Sequence, residues 1–243
     1  MTRQARPSGL GWAPSVPLAW DVAKVCLVAR LESGHTPSRQ HPEYWIPEEC
    51  TTPWFSLADV WQLREANQAY LGDTNEQISL KGMANSAARV LPAGTVVLSR
   101  TASVGYAGIM PRPMATTQDF ANFVCGPRLV PEYLLWAFRA MKDEFGRMMM
   151  GSTHQTIYMP DIRRLAIPLP PVDEQRAIAA FLERKTAAID RLIYGAADPR
   201  HGRQEGRDPG TLVELTELLR EYRQGVIIAA VAGQLDASVM RDT

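Results

Sequence analysis

The sequence contains few of the residues on which disulfide, metal and membrane chemistry depend. Cysteine occurs three times in 243 residues, with no Cys-x-x-Cys pair, which favours reduced thiols in the cytoplasm over a disulfide framework. The four histidines are isolated, and none has a cysteine or carboxylate companion at metal-ligand spacing. No apolar run reaches the roughly 18 residues that a membrane-spanning helix requires. We therefore expect a cytoplasmic protein with no metal site and no membrane partner.

Signatures of common enzyme classes are absent as well. The chain has no Walker A loop, dinucleotide fingerprint, Gly-x-Ser-x-Gly elbow or Asn/Asp-Pro-Pro-aromatic methyl-transfer tetrad. Pro160-Asp161 followed by Glu183-Arg184-Lys185 does match the Pro-Asp…Asp/Glu-x-Lys pattern of nucleases whose carboxylates hold a divalent ion. Such a site needs carboxylates held rigidly in one pocket, whereas Glu183 falls in a predicted helix beyond a proline break. We expect a chain that is not catalytic by itself, with a metal-dependent nuclease as the alternative.

Charge is unevenly distributed, although the chain has 26 basic and 26 acidic residues. Residues 81–164 contain ten basic and five acidic residues, a local net charge of +5, whereas the sequence from residue 172 onward contains ten basic and twelve acidic residues. A basic body followed by a slightly acidic region is compatible with binding a polyanion through the body alone. Hydroxyl, amide and guanidinium groups, which read DNA grooves and hold phosphates, concentrate in four polar segments, 81–89, 99–103, 116–118 and 151–155.

The first 171 residues predict an arm and a body. Residues 1–17 contain three prolines and little periodicity, so we expect a flexible N-terminal arm. The β-branched run 95–98 predicts a buried strand, with Ile109 pairing back as a hairpin. Helical spacing over residues 131–150 predicts a helix that begins at a proline. Strands, a helix and long polar loops together indicate an α/β (mixed α+β) body over residues 18–171.

Residues 172–236 predict a helical region interrupted by an exposed loop at 195–210, with a tail at 237–243. Pro170 and Pro171 end the body, because proline fixes φ and lacks an N–H. Apolar residues then recur at helical spacing, and in the second helix they form an a/d heptad seam. They are Ile178, Leu182, Ile189 and Leu192 in the first helix, and Leu212, Leu215, Leu219, Tyr222 and Val226 in the second. The seam must be buried against another helix.

That burying helix is either the first helix of the same chain, folding back as a hairpin, or a helix of another chain. Both arrangements together would give a four-helix assembly. The pattern therefore predicts a long-helix, coiled-coil-like dimerisation region. A purely structural coiled-coil adaptor is a further alternative for the function.

Several segments carry a family resemblance. They read GHTPS at 34–38, LPAGTVVLSR at 91–100, ATTQDF at 115–120, GSTHQTIYMP at 151–160, IPLPPVDEQ at 167–175, EYRQ at 221–224 and AVAGQLD at 230–236. These segments resemble the specificity (S) subunits of type I restriction-modification enzymes, and the Pro-Leu-Pro-Pro…Glu-Gln join is the most specific of them. Two departures are that Thr117 stands where the family often has Asn, and that the loop at 195–210 interrupts a usually more continuous helical region.

The resemblance implies a DNA target-recognition domain followed by one conserved helical region, where family members usually carry two of each. A half-length S subunit of this kind would form a homodimer or pair with another half S subunit, and would read one half of a bipartite target in double-stranded DNA. It would dock DNA methyltransferase (M) subunits and the restriction/translocase (R) subunit. The resemblance places S-adenosylmethionine, ATP and Mg²⁺ on those partner subunits and implies no cofactor on this chain.

Under this interpretation the DNA contacts come from side chains in the four polar segments. The candidates are Lys81, Arg89, Ser99, Arg100, Thr101, Thr116, Gln118, Thr153, His154 and Gln155. Arginine can grip guanine and glutamine can grip adenine in the major groove, whereas lysine and the hydroxyl residues hold phosphates.

Overall fold

A computed structural model describes residues 4–64, 68–149, 156–197, 209–235 and 240. In this part of the chain the strands are β1 (Ala5–Leu10), β2 (Ala13–Pro17), β3 (Asp21–Lys24), β4 (Ala29–Ser33), β5 (Cys50–Phe55), β6 (Glu76–Ser79), β7 (Val96–Ser99), β8 (Ala107–Ile109), β9 (Ala115–Thr116), β10 (Phe120–Cys125) and β11 (Ala166–Leu169). The α-helices are α1 (Trp61–Arg64), α2 (Leu80–Ala84), α3 (Pro131–Ala140), α4 (Lys142–Met149), α5 (Met159–Ile162), α6 (Val172–Ala197) and α7 (Pro209–Val231). Short 3-10 helices lie at Val25–Leu27, Pro42–Tyr44, Pro47–Glu49 and Leu57–Asp59.

The hairpin β1–β2 lies where the sequence predicts a flexible arm over residues 1–17. Its strands pair antiparallel, with Arg6 opposite Val16. Val16 is buried, and the Arg6 guanidinium donates a hydrogen bond of 2.7 Å to the carbonyl of Trp20. The segment is ordered because Val16 is buried and Arg6 is bonded to Trp20, although its apolar residues show little periodicity. The expectation of a flexible arm is therefore wrong for residues 5–17.

A four-stranded antiparallel sheet, in the order β4-β10-β7-β8, forms the centre of the body. Strand β7 is entirely buried, which confirms the strand predicted at 95–98. Val96 lies opposite Ile109, which confirms the predicted hairpin. Helix α3 covers one face, where the rings of Phe123 and Phe138 lie 5.2 Å apart. The sheet and α3 therefore form the main core.

A smaller sheet, in the order β6-β5-β9, stands beside the central one. Its core contains the buried side chains of Trp54 and Ile78. Helix α2 follows β6 directly, because the Ser79 hydroxyl accepts a hydrogen bond of 3.0 Å from the N–H of Gly82 and so caps the helix. The same hydroxyl donates to the carbonyl of Tyr44 at 2.6 Å. This bond fixes α2 against the loop that precedes β5.

Helix α3 connects the body to the long helices. It begins at Pro131, as the sequence predicts, but the helix predicted over 131–150 divides into α3 and α4 at Met141. Helix α3 packs against β8, α6 and α7. The buried Tyr133 hydroxyl lies 2.9 Å from the carbonyl of Pro168 and 3.3 Å from that of Val231. One side chain thus joins β11, α3 and the end of α7.

Helices α6 and α7 form a hairpin within the chain. Helix α6 starts directly after Pro170 and Pro171, as predicted, and its 26 residues span about 39 Å. The Tyr133 hydroxyl contacts Pro168, just before the start of α6, and Val231, at the end of α7. Because α6 also packs against α7, the two helices run in opposite directions. They extend to residues 197 and 209, and the rest of the expected loop at 195–210 lies outside the described residues. No helix within the described ranges is long and apolar enough to cross a membrane.

Candidate nucleic-acid interface

Polar loops that are far apart in the sequence meet at one end of the central sheet. Arg100 holds them together: its backbone N–H donates to the carbonyl of Asp119 at 3.0 Å, and its Nε donates to the carbonyl of Gln118 at 2.9 Å. The N–H of Ile157 donates to the carbonyl of Arg100 at 2.9 Å, and the Arg100 Nη1 reaches the carbonyl of Ile157 at 3.4 Å. The Arg100 guanidinium therefore clamps three loops together, and its side chain stays partly exposed.

Asp119 fixes two hydroxyl-bearing residues within this loop cluster. Its Oδ1 accepts a hydrogen bond of 2.8 Å from Thr101, and its Oδ2 accepts one of 2.8 Å from Thr117. Hydrogen bonds to an ionised acceptor are shorter and stronger than neutral ones. Sequence reasoning missed Asp119. The available signal was a single carboxylate between two hydroxyl-rich segments of a basic region.

Gly34 lets the first loop approach the others. A Cβ at this position would lie 2.1 Å from the carbonyl oxygen of Thr116 and 2.3 Å from that of Thr117, so a larger residue would collide with backbone. The next residue, His35, donates its N–H to the carbonyl of Thr116 at 3.0 Å. Close backbone approach is thus the physical reason for glycine in this motif.

Two predicted contact residues lie inside the loop cluster. Ser99 is buried, and its hydroxyl donates to the carbonyl of Thr101 at 3.1 Å. Thr116 is also buried, and its hydroxyl accepts a hydrogen bond of 2.8 Å from the Asn122 amide. These side chains shape the loops from within and are not available at the surface. Thr101 is partly buried and bonded to Asp119.

Other predicted contact residues are on the surface. Gln118 is exposed, and its Oε1 accepts a hydrogen bond of 2.9 Å from the Thr36 hydroxyl. Lys81 on α2 and Arg89 after it are also exposed. The remaining candidates, Thr153, His154 and Gln155, lie outside the described residues.

An aromatic and basic cluster extends this surface towards Lys81. The Arg39 guanidinium lies 3.6 Å from the ring centroid of Trp45 and forms an ion pair of 2.7 Å with Glu76. The pKa of Glu43 is lowered, first by a hydrogen bond from its own backbone N–H and then by His41, and the charge of Lys81 contributes. Helix α2, which carries Lys81, packs against the 3-10 helix Pro42–Tyr44 that follows His41.

The carboxylates of the nuclease pattern stand in separate elements. Asp161 lies in α5 and forms an ion pair of 3.4 Å with Arg164, whereas Glu183 is exposed on α6. Among the described residues, no group of three or more His, Cys, Asp or Glu side chains could hold a metal ion. This arrangement does not favour the nuclease alternative.

The apolar residues predicted for partner helices divide into two sets. Ile178, Leu182 and Ile189 are buried within the chain, and Leu219 and Val226 are partly buried. The helix faces that carry these five residues pack inside the chain's own hairpin and against α3. The outer set, Leu192, Leu215 and Tyr222, is exposed, and it is extended by Val213 and Leu218. The side chain of Leu212 lies outside the described residues.

The chain is similar to proteins of one family. A family model described as Type I restriction modification DNA specificity domain matches residues 19–193. The type I restriction enzyme MjaIX specificity subunit of Methanocaldococcus jannaschii is 30% identical over 169 residues, which are 69% of this chain and 38% of that protein. The type I restriction enzyme HindI specificity subunit of Haemophilus influenzae is 22% identical over 109 residues, 45% of this chain and 22% of that protein.

Solved structures agree at the level of the fold. The HsdS subunit from Thermoanaerobacter tengcongensis matches with a TM-score of 0.55 at 19% identity, over 95% of this chain and 48% of that one. A chain from a structure of the assembly and conformational transition of the type I R-M system matches with a TM-score of 0.57 at 19% identity, over 90% of this chain and 47% of that one. The chain thus spans about half the length of these neighbours. The likeness confirms the predicted mixed α/β body with long helices.

Proposed function

The chain belongs to the family of type I restriction modification DNA specificity domains, and we propose that it reads one half of a bipartite target in double-stranded DNA. The observation that carries the proposal is the loop cluster clamped by Arg100 and Asp119. Sequence discrimination requires side chains held in a fixed geometry against base edges. The cluster supplies a rigid base of this kind, and Gln118 is exposed at its surface.

The proposed DNA surface runs from Gln118 past Thr36 to Lys81 and Arg89. The amide of Gln118 has the donor and acceptor that match an adenine edge in the major groove. The two basic side chains are exposed and suit phosphate oxygens, which position a protein on the duplex without reading its sequence.

The exposed apolar face of the hairpin is the proposed pairing surface. Leu218 and Tyr222 are 61% and 54% exposed, although the chain's own hairpin is already formed. Apolar surface on a long helix is normally covered by another helix. A second copy of this chain, or another half S subunit, would cover it and place a second recognition body on the same duplex.

The remaining partners follow from the same proposal. The helical region would dock the methyltransferase (M) subunits and the restriction/translocase (R) subunit, which would carry S-adenosylmethionine, ATP and Mg²⁺. The chain itself would perform no bond-making step. Its contribution would be to choose the DNA site.

A DNA-binding titration over a range of salt concentrations tests the proposal. The assembled complex with Lys81→Gln and Arg89→Gln should bind its target more weakly. The slope of log K against log salt should fall by about 1.8, because each lost phosphate contact removes about 0.9. The matched control is Arg164→Gln, an exposed arginine paired only with Asp161 among the described residues, which should leave the slope unchanged. Equal slopes for the double variant and the control would support a structural adaptor instead.

A further inference from the structure

Arg39 is an exposed arginine that lies along the proposed DNA surface. It follows Thr36 by three residues, and the Thr36 hydroxyl is bonded to Gln118. Three residues of chain span at most about 11 Å, so Arg39 stays close to that contact. The 3-10 helix Pro42–Tyr44, which follows Arg39 in the chain, packs against the helix that carries Lys81. Arg39 therefore belongs to the same surface as the side chains proposed to contact DNA.

The guanidinium of Arg39 is held in place by three neighbours. It lies 3.6 Å from the ring centroid of Trp45 and 5.5 Å from that of Trp54. The two rings meet edge to face, with their centroids 5.4 Å apart. Nη2 of Arg39 donates to both carboxylate oxygens of Glu76, at 2.9 Å and 2.7 Å. The cation–π contact and the ion pair together restrict a side chain that would otherwise sample many rotamers.

The groups that support Arg39 are themselves fixed by the fold. Nε1 of Trp45 donates to the carbonyl just before Arg39 at 3.2 Å, and Nε1 of Trp54 donates to the carbonyl of His35 at 3.3 Å. Trp54 is 2% exposed and lies opposite Glu76 in the pairing of β5 with β6. The segment that carries Arg39 is thus bonded to both rings. Recognition of a base requires support of this kind, because the reading group must be held in a fixed geometry.

Part of the Arg39 guanidinium remains available to a ligand. Glu76 takes up only Nη2, and Nε and Nη1 have no hydrogen-bond acceptor among the described residues. The side chain of Arg39 is 51% exposed and that of Glu76 is 43% exposed. A donor group and an acceptor group therefore lie side by side at the surface, and both can be reached from solvent.

A phosphate group would suit this pair poorly. The carboxylate of Glu76 offsets the charge of Arg39 and would repel a phosphate at short range. Base edges in the major groove differ from phosphates, because a base pair presents donors as well as acceptors there. An arginine beside a carboxylate offers the complement of such an edge.

We propose that Arg39 and Glu76 together read one G·C base pair of the half-target, an inference that rests on the proposed function. Guanine presents the acceptors O6 and N7, which suit the N–H groups of Arg39, and cytosine presents its N4 amino donor, which suits the carboxylate of Glu76. An A·T pair presents the adenine N6 donor in place of O6 and the thymine O4 acceptor in place of the amino group. Both contacts would then be mismatched, so the pair discriminates against A·T.

Selection from a pool of duplexes with a randomised central segment tests the proposal in the assembled complex. The unchanged complex should select a half-site that contains the G·C pair. Arg39→Gln and Glu76→Ala should each relax the selection at one and the same base pair. The ratio of affinities for two duplexes that differ only there, G·C against A·T, should fall by about tenfold in each variant. Preferences at the other positions should stay as they are.

The matched control is Arg112→Gln. Arg112 is also an exposed arginine whose Nη2 lies 2.7 Å from a carboxylate, that of Asp73, and its replacement should leave every preference unchanged. A less stable variant binds less DNA in total, but the ratio between two sequences is preserved, because both bind the folded complex. Uniform weakening for all sequences with the ratio intact would show that the pair only supports its loop, and would overturn the proposal. Loss of all binding would overturn it too, since one base-pair contact carries only part of the affinity.

These outcomes are distinct from a failure of the proposed function. If the unchanged complex selects a defined half-site in which no base pair depends on Arg39, the role of Arg39 and Glu76 is wrong and the proposed function stands. If the unchanged complex selects no sequence at all, the proposed function fails, and the role of the pair fails with it.

Discussion

The side-chain oxygen of Gln175 accepts a hydrogen bond of 2.8 Å from the backbone N–H of Val130. The same side chain donates to the carbonyls of Arg128 at 2.8 Å and Pro170 at 2.9 Å. Gln175 has 0% exposure, so these groups have no access to water. One buried amide therefore fastens the first turn of α6 to the loop before α3. This is the point where the body passes into the helical hairpin.

Replacing Gln175 should destabilise this join. Gln175→Leu keeps a similar volume but leaves one N–H and two carbonyls without their partner, and we expect a loss of about 2–4 kcal/mol in the free energy of unfolding. Urea denaturation followed by circular dichroism measures the loss. Gln40→Leu, at an exposed position, is the control and should change stability by less than about 0.5 kcal/mol. A loss below about 1 kcal/mol for Gln175→Leu would show that the join does not depend on this amide.

Asp119 tests whether the loop cluster positions the DNA contacts. Removing a negative charge near DNA should by charge alone strengthen binding. We expect the reverse for Asp119→Ala in the assembled complex, a loss of about tenfold or more in affinity, because Thr101 and Thr117 lose their shared acceptor. Asp73→Ala, a nearly fully exposed carboxylate paired with Arg112, is the control. Equal or tighter binding by Asp119→Ala would contradict a positioning role.

The three cysteines should differ in their reaction with iodoacetamide. Burial raises the pKa of Cys125 to about 12 and also raises that of Cys50, whereas Cys26 is exposed. Because the thiolate is the reactive form, Cys125 should react roughly three orders of magnitude more slowly than a thiol of ordinary pKa at pH 9. Mass spectrometry of peptides after short labelling should find Cys26 modified first. Unfolding in urea should equalise the rates, and equal rates in the native chain would contradict the burial of Cys125.

The exposed face of α7 should control the oligomeric state. Leu218→Glu places a charge at the centre of that face, so sedimentation should find a dimer for the unchanged chain and a monomer for the variant. Val90→Glu changes an exposed apolar residue on the body and should leave the dimer intact. A monomer for the unchanged chain at micromolar concentration would count against self-pairing and favour another half S subunit as the partner.

Much of the fold follows from local sequence signals. The buried strand β7, its hairpin with β8 and the start of α6 after Pro171 each depend on a few neighbouring residues. The hairpin β1–β2 was not predicted, because its order comes from contacts with distant residues such as Trp20. The division between α3 and α4 was also missed, because apolar spacing continues through Met141 and predicts one continuous helix.

Prediction of the candidate site was limited in the same way, because local sequence does not show which residues become neighbours in the fold. Sequence reasoning found the polar segments but could not tell which side chains face outward, so Ser99 was predicted as a contact although it is buried. A strand end and the turn after it have the same composition whichever way the side chains point. Asp119 was missed because its partners, Thr101 among them, become neighbours only in the fold.

Gly233 lies so close to the start of the body that a Cβ there would stand 2.5 Å from Pro17 and 2.8 Å from Trp20. After α6 and α7, the chain therefore comes back into contact with the start of the body. The architecture depends more on the contacts between these segments than on the order in which the chain connects them. A circularly permuted chain, closed across this meeting point and reopened at an exposed turn elsewhere, would keep the same architecture.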